Sequence, residues 1–327
     1  MNNAPSLGLD LGGTDIKAGL VGPDAEVLAF DSVATEASEG PDHVIERMAE
    51  AAKNLCDQAS VKLQDLAAIG AGVPGPLDSK RGVIHSAPNL PGWVNIPLKE
   101  KLAEKLGSGP VFEVFNDANA AAYGEFWAGT GRDEAITHMI MLTLGTGVGG
   151  GIILDGDLYT GAHGDAGELG HVILEPLGPL CASGERGSLE MYASATAMAG
   201  EARRRIELGA STDLPAEPTA KNVFDLSESD PLAGEIVDWA CGYLGIACAN
   251  LVRCFDPQMI VLGGGVAKAG ERLLKPVRTA FEKRTWTIRP EKVRIELATL
   301  GNRAGFIGAA GLAQRACESL ASEPQGG

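Results

Sequence analysis

The chain has 327 residues, which is longer than a single hydrophobic core usually grows, so we expect two lobes of roughly 150 residues each. Its 43 acidic and 27 basic residues give a formal net charge of −16, which repels phosphate backbones and anionic lipid, so neither nucleic acid nor a membrane is expected as a partner. No basic region followed by an apolar stretch opens the chain, and no run approaches the roughly 18 apolar residues that span a bilayer, so we expect a cytoplasmic protein.

Short strands and helices alternate along the chain. In the first half, the apolar and turn patterns predict strands at 6–10, 16–21 and 26–30, a helix at 41–60, a strand at 66–73, a helix at 98–106, a strand at 111–115 and a helix at 118–127. In the second half they predict strands at 140–144 and 152–154, helices at 194–208 and 233–255, a strand at 259–262, a helix at 268–283, a strand at 293–297 and a C-terminal helix. This alternation is typical of an α/β fold.

Two segments of the chain resemble each other. LDLGGTDIKAGLVGPDAEVL begins at Leu9, LTLGTGVGGGIILDGDLYTG begins at Leu142, and both contain a strand, a Leu-Gly turn with threonine, a second strand and an Asp-containing turn. The wide separation of the copies favours two related lobes over a solenoid, whose repeats recur every roughly 20 to 50 residues. We therefore expect a cleft between two lobes, with one glycine turn from each lobe facing it.

The first glycine turn, DLGGTDIK, is a candidate phosphate site. Glycines let backbone N–H groups approach an anion closely, and the threonine hydroxyl adds a donor. The turn residues concerned are Gly12, Gly13 and Thr14, with Lys17 as a further candidate ligand. Asp10 is suited to hold Mg²⁺ through water, because Mg²⁺ prefers oxygen ligands and keeps part of its hydration shell. The alternative interpretation is a plain hairpin turn.

The second glycine turn makes a plain hairpin harder to accept. LGTGVGGG, which contains Gly145, Thr146 and Gly147, has five glycines in eight residues, a large cost in chain entropy that packing does not explain. A third turn, Gly263–Gly265, offers bare backbone against which an adenine or ribose can lie. None of these turns is a P-loop or a dinucleotide-binding fingerprint.

Four polar clusters are candidates for binding sugar hydroxyls, which need carboxylates and amides to fix their orientation. They are Asn89, the pair Asn116-Asp117, the pair Glu168 and His171, and Glu190. Asp117 stands at a strand end, where it is suited to accept the proton of an attacking hydroxyl, and the alternative is that it only caps the following helix. His171 can equally be a structural histidine, and Glu168 a surface residue.

A series of motifs resembles the ROK family of repressors, open reading frames and sugar kinases, and within it the bacterial glucokinases. In chain order these motifs are DLGGTDIK, PNLPGW, NDANAAAYGE, LGTGVGGG, GAHGDAGELGH, GERGSLEMYAS and VLGGGV, and they cover nearly the whole chain. The resemblance implies a two-lobed actin-like ATPase fold of the ribonuclease H-like class, with ATP between the lobes and the sugar deep in the cleft. It implies a small lobe at 1–116, joined by a C-terminal helix at 304–327, and a large lobe at 117–303.

The resemblance also implies a role for each candidate residue. Asp117 is the catalytic base, and the hexose-binding positions are Asn89, Asn116, Asp117, Glu168, His171 and Glu190. The phosphate and Mg²⁺ positions are Asp10, Gly12, Gly13, Thr14, Lys17, Gly145, Thr146 and Gly147, and Gly264 and Gly265 are expected near the adenosine. The implied reaction is ATP-dependent phosphorylation of glucose by a homodimer or homotetramer. Fructose, N-acetylmannosamine or allose as sugar, and ADP or polyphosphate as donor, remain alternatives.

The chain departs from the family pattern at a zinc site. Many members use the histidine of GELGH and three cysteines of CxCGxxGCxE, but this chain reads CASGERGSLE, with Ser183 and Ser188 in place of two cysteines. A hydroxyl is a poor zinc ligand, so His171 and Cys181 alone cannot complete the usual four-coordinate site, and we expect no structural zinc. The two serines are then candidate hydrogen-bond donors that help to position His171 and Glu190.

Two other functions compete with the kinase. A sugar-responsive repressor needs a helix-turn-helix domain before the first phosphate turn, but only nine residues precede Asp10, so this function is not expected. A catalytically inactive binding protein is disfavoured because Asp117 is intact.

Overall fold

Two five-stranded sheets carry the fold. The computed structural model describes residues 4–87, 89–107, 109–133, 135–285 and 293–322. The strands are β1 (Ser6–Leu11), β2 (Asp15–Val21), β3 (Val27–Ala34), β4 (Ala68–Val73), β5 (Leu77–Asp78), β6 (Val83–Ser86), β7 (Val94–Pro97), β8 (Val111–Asn116), β9 (Met139–Leu144), β10 (Val148–Leu154), β11 (Asp157–Leu158), β12 (Met259–Gly263) and β13 (Arg294–Leu297). The helices are α1 (Pro41–Gln58), α2 (Leu98–Leu106), α3 (Asp117–Trp127), α4 (Glu190–Ala193), α5 (Ala195–Glu207), α6 (Ala220–Leu226), α7 (Pro231–Phe255), α8 (Glu271–Glu282) and α9 (Ala304–Ser322).

The two sheets have the same topology. The first has the order β3-β2-β1-β4-β8, in which β1, β2 and β3 are antiparallel and β1, β4 and β8 are parallel. The second has the order β11-β10-β9-β12-β13, in which β9 and β10 form an antiparallel hairpin and β9, β12 and β13 are parallel. The two similar sequence segments form the corresponding hairpins β1–β2 and β9–β10, which confirms the predicted internal repeat.

The chain divides into two compact units, which differ in their boundaries from the lobes expected from the sequence. Unit 1 comprises Met1–Arg132, Leu158–Ala166 and Asn302–Gly327, and unit 2 comprises Asp133–Asp157 and Gly167–Gly301. Helix α3 belongs to unit 1, although the sequence places it at the start of the large lobe, because α3 packs along α9. Residues 323–327 of the expected C-terminal helix lie outside the described residues.

In unit 1 the side chains of β1 alternate between two faces of the sheet, as a strand's period of two requires. Leu7, Leu9 and Leu11 point into a core that contains Met48 of α1. Gly8 faces α9, and a Cβ on it would lie 2.7 Å from the carbonyl carbon of Phe306. The missing side chain therefore lets α9 lie directly on the sheet.

Glycines also join α9 to α3. A Cβ on Gly308 of α9 would lie 2.6 Å from the carbonyl carbon of Ala120 in α3, and nearer still to its oxygen. A Cβ on Gly124 of α3 would lie 3.1 Å from the carbonyl carbon of Ala304. Because backbone meets backbone at these points, the position of α3 depends directly on α9.

In unit 2 the long helix α7 forms the centre of the core. Ile236, Leu244 and Cys248 of α7 are almost fully buried, and Asp230 caps the helix by accepting the Ala233 N–H at 2.8 Å. By length and mean hydropathy α7 could cross a membrane, which the expectation based on uninterrupted apolar runs did not reveal. However, 61% of its apolar window is buried inside the fold, and buried core helices of soluble proteins pass the same test.

Several elements differ from those predicted. The short strands β5, β6 and β7 form a third sheet that the turn-rich sequence did not reveal, because strands of two to four residues carry little periodicity. Helix α6 was also missed, although its capping box, Thr219 with Asn222, is a detectable start signal. The helix predicted at 268–283 is a 3₁₀ turn at Val266–Ala269 followed by α8.

The six cysteines are free thiols in the described part of the chain. Cys254 is exposed, whereas Cys56, Cys241 and Cys248 are buried. Burial raises the pKa of the Cys56 thiol to about 11 and those of Cys241 and Cys248 to about 12. These three buried thiols therefore behave as small apolar side chains.

Candidate active site

In unit 1 the candidate residues collect at the carboxyl ends of three parallel strands. Register pairs Asp10 of β1 with Gly72 of β4, and Gly72 with Phe115 of β8. Asp117 comes two residues after Phe115, and a Cβ on Gly72 would lie 3.7 Å from the Asp117 Cα. Since these ends meet at one edge of the sheet, Asp10 and Asp117 share that edge, which is where ligands bind in open α/β sheets.

Asn116 rather than Asp117 caps α3. The Asn116 Oδ1 accepts the N–H groups of Ala118 at 3.0 Å and Asn119 at 3.1 Å, and Asp117 is the first helical residue. Asp117 Oδ1 also accepts the Ala118 N–H, at 2.8 Å. The helix therefore has its cap without Asp117, whose carboxylate sits at the positive end of the helix dipole.

The first glycine turn is held from behind by a residue that sequence reasoning missed. Thr35, which is fully buried, donates its hydroxyl to the Gly12 carbonyl at 2.7 Å and its N–H to the Thr14 carbonyl at 2.7 Å. A Cβ on Gly13 would lie 3.3 Å from the carbonyl oxygen of Asn89, so the PNLPGW loop lies against this turn. A threonine directly after a strand is too common to identify Thr35 from sequence.

Lys17 is paired with Asp10. Its Nζ lies 2.9 Å from Asp10 Oδ2, and the two residues face each other across the β1–β2 ladder. The start of α9 also reaches Asp10, because a Cβ on Gly305 would lie only 2.6 Å from its Cγ. A single hard oxygen donor at this position fits a Mg²⁺ ion that is held through water.

In unit 2 the second glycine turn is anchored to the start of α5. The Gly145 carbonyl accepts the Ala195 N–H at 2.8 Å, and the Thr146 carbonyl accepts the Thr196 hydroxyl at 2.8 Å. The third turn supports the second, since a Cβ on Gly264, whose φ is +84°, would lie 2.7 Å from the Leu144 nitrogen. Gly265 follows it and begins the 3₁₀ turn at Val266–Ala269.

Glu190 lies against the second glycine turn. Its Oε2 accepts the Val148 N–H at 2.9 Å, and a Cβ on Gly147 would lie 3.1 Å from its Cδ. The turn needs glycine at position 147 to make room for this carboxylate. A predicted sugar ligand and a predicted phosphate turn are therefore in direct contact.

Glu168 directly precedes a 3₁₀ turn, Leu169–His171, whose last residue is His171 and which packs on β10. Gly170 allows this packing, because its Cβ would lie 2.9 Å from the carbonyl carbon of Val148. Glu168 is exposed, and His171 is half-buried with its Nδ1 donating to Glu185 Oε1. Hydrogen bonds from Ser183 and His171 lower the pKa of Glu185 to about 2.

The donor atoms near His171 do not fit the family's zinc site. The possible metal-binding atoms of His171, Cys181 and Glu185 lie within 4.8 Å of one another. This set contains one thiol, whereas the family's zinc site has three. In place of a shared metal ion, a direct hydrogen bond joins His171 to Glu185. Sequence reasoning missed Glu185, although it lies between the two serines that replace cysteines.

Of those two serines only Ser183 has a side-chain hydrogen-bond partner among the described residues, and it donates to Cys181 rather than to His171 or Glu190. The Ser183 Oγ lies 3.1 Å from Cys181 Sγ and 3.5 Å from His171 Nδ1. Ser188 is fully buried, and its hydroxyl has no hydrogen-bond partner within the described ranges, so the expectation that it positions His171 or Glu190 is wrong. Its backbone forms an isolated antiparallel bridge with that of Ile173.

Comparison with known proteins identifies the family. The chain is 38% identical to a glucokinase of Halalkalibacterium halodurans over 96% of both chains. It superposes on the crystal structure of a ROK hexokinase from Thermus thermophilus with a TM-score of 0.85 and 38% identity, covering 96% of this chain and 99% of that one. For a ROK family glucokinase from Streptomyces griseus in complex with glucose and AMPPNP the TM-score is 0.78 and the identity 34%, covering 95% and 99%.

These matches confirm the predicted α/β fold of the actin-like ATPase class. The model of the ROK family matches residues 6–316, which include both glycine turns and every candidate site residue. The chain belongs to the ROK family.

Proposed function

We propose that this protein is a glucokinase that transfers the γ-phosphoryl group of ATP to the 6-hydroxyl of glucose. The observation that carries the proposal is the position of Asp117, at the same sheet edge as Asp10 and directly after Asn116, whose side chain caps α3. The glucokinase of H. halodurans and the glucose and AMPPNP complex of the S. griseus enzyme support glucose and ATP as substrates.

In the proposed reaction the sugar O6 attacks the γ-phosphorus in line. The O6–P bond forms while the bond from phosphorus to the β,γ-bridging oxygen breaks, and the proton of the hydroxyl passes to the Asp117 carboxylate. ADP is the leaving group. Mg²⁺, held through water by Asp10, supplies charge neutralisation at the phosphates when it is bound.

The other residues bind and orient the substrates. N–H groups of the turns at Gly12–Thr14 and Gly145–Gly147 hold phosphate oxygens, and the bare backbone at Gly264-Gly265 lies near the adenosine. Lys17 orients the Asp10 carboxylate and adds positive charge near the phosphates. The proposed ligands of the sugar hydroxyls are Asn89, Asn116, Glu168, His171 and Glu190.

A coupled ADP-release assay tests the proposal. The purified protein is supplied with ATP and with glucose, fructose, N-acetylmannosamine or allose, and then with ADP or polyphosphate as donor. We expect the highest kcat/KM for glucose with ATP. A tenfold preference for another hexose would overturn glucose as the substrate and leave the mechanism standing.

The base is tested by Asp117→Asn, which we expect to lower kcat by about 10²- to 10⁴-fold, the usual contribution of a general base. Asp42→Asn is the matched control, because Asp42 also lies in the first turn of a helix but its side chain is 84% exposed. The control should keep wild-type kcat. Near-wild-type turnover in Asp117→Asn would show that the base is wrongly assigned.

A further inference from the structure

A continuous series of side-chain contacts starts at Glu185 in unit 2. Its carboxylate accepts from His171, and the Ser183 hydroxyl donates to it. Ser183 also reaches Cys181, whose Sγ lies 3.1 Å away. The Glu185 and His171 side chains are 24% and 39% exposed, so neither is sealed in the core and both depend on these contacts for a fixed orientation.

The series continues to the second glycine turn. The buried Cys181 thiol donates to Glu190 Oε1 at 3.7 Å, and Glu190 Oε2 accepts the Val148 N–H. One carboxylate oxygen of Glu190 is thus tied to the segment that begins at Cys181 and the other to β10. The contacts connect two proposed sugar ligands, His171 and Glu190, through residues that none of the proposed roles uses.

Glu185 and Ser183 make hydrogen bonds in the segment where a metal-binding chain would have metal ligands. The Glu185 carboxylate accepts a hydrogen bond from the imidazole of His171 directly. In metal sites a carboxylate outside the coordination shell accepts the free N–H of a metal-bound histidine in the same way and fixes the ring's orientation. Ser183, where a thiolate would bind metal, has one hydroxyl proton, which it can donate either to Cys181 or to Glu185. A charge-assisted hydrogen bond is stronger than a neutral one, so it can hold the ring in one orientation without an ion.

We propose that Glu185 is a positioning residue that orients His171 and, through Ser183 and Cys181, Glu190, and that this hydrogen-bonded network holds the segment without a metal ion. The effect of Glu185 on hexose binding rests on the proposed kinase function. The proposal that the segment needs no metal ion is independent of that function.

Metal content and chelator sensitivity test the metal-free part. Protein purified in metal-replete medium is analysed by mass spectrometry for zinc, and its melting temperature is measured with and without EDTA. We expect far less than one zinc per chain and an unchanged melting temperature. About one zinc per chain, or a melting temperature that falls with EDTA, would overturn the proposal.

Variants of Glu185 test the positioning part. We expect Glu185→Ala to raise the KM for the hexose about tenfold, the equivalent of one lost hydrogen bond, with kcat changed less than twofold because Asp117 is untouched. Glu185→Gln keeps an acceptor oxygen but loses the negative charge, so it should recover only part of the loss. Glu175→Gln is the matched control, since Glu175 is an exposed glutamate of the same segment.

The outcomes separate this inference from the proposed function. An unchanged KM in Glu185→Ala, or an equal loss in Glu175→Gln, would overturn the positioning role. If the wild type phosphorylates no hexose, the proposed function fails, and the network is judged by melting temperature alone. Glu185→Ala should then melt below both the wild type and Glu175→Gln, and equal melting temperatures would overturn it.

Discussion

The glycine contact between α9 and α3 makes Gly308→Ala the most informative substitution outside the site. The added methyl would lie 2.6 Å from the Ala120 carbonyl carbon, and an ordinary contact needs about 3.5 to 4.0 Å, so the helices must separate by about 1 Å. Overpacking against backbone costs about 3 kcal/mol, and the better helix propensity of alanine returns about 1 kcal/mol. The expected net destabilisation is about 2 kcal/mol, or a melting temperature lower by about 4 to 8 °C.

Gly308→Ala should also lower kcat, in addition to its effect on the melting temperature. Asp117 is the first residue of α3, so a shift of about 1 Å in this helix displaces the proposed base, and misplacement of that size costs about 10²-fold in rate. Gly200→Ala is the matched control, because Gly200 lies within α5 with no atom near the position of its Cβ. It should raise the melting temperature by about 2 °C and leave kcat unchanged.

Thermal melting and the coupled assay measure both effects. If Gly308→Ala melts at or above the wild-type temperature with unchanged kcat, then α9 does not set the position of α3. If it loses stability but keeps full kcat, then the position of Asp117 is less critical than its proposed role requires.

Three further predictions concern other parts of the chain. Gly147→Ala should push the Glu190 carboxylate aside and raise the hexose KM about tenfold with little change in melting temperature, and an unchanged KM would contradict the contact. Asp230→Ala removes the cap of α7 and should cost about 1 to 2 kcal/mol at pH 7 in urea unfolding. Burial opposes ionisation of Asp230, but hydrogen bonds lower its folded pKa below 3.8, so its contribution is full above pH 4 and is lost as the pH falls further. A difference between wild type and variant that stays constant down to pH 2 would refute this. Cys254→Ser should remove the fastest thiol reaction with Ellman's reagent at pH 8, and an unchanged fast phase would show that a less exposed thiol, such as the half-buried Cys317, reacts first.

Much of the fold follows from local sequence. The period-two apolar runs, the glycine turns and the helical spacing of Val44, Met48 and Leu55 in α1 each depend on residues close together in the chain, so their signals survive in a single sequence. The similarity of the segments at Leu9 and Leu142 predicted two related lobes for the same reason. The short strands β5–β7 were not predicted, because their stability comes from pairing with each other and not from a periodic pattern in their own residues.

Some residues of the candidate site were also predictable from the sequence, and others were not. The sequence by itself determined the glycine turns, the acid at the end of β8 and the loss of two cysteines, since each is a property of consecutive residues. Only the tertiary structure decided which distant residues support them: Thr35 behind the first turn, Gly305 beside Asp10 and Glu185 beside His171. Those contacts join residues from separate elements, and no local pattern specifies where the backbone will bring two such elements together.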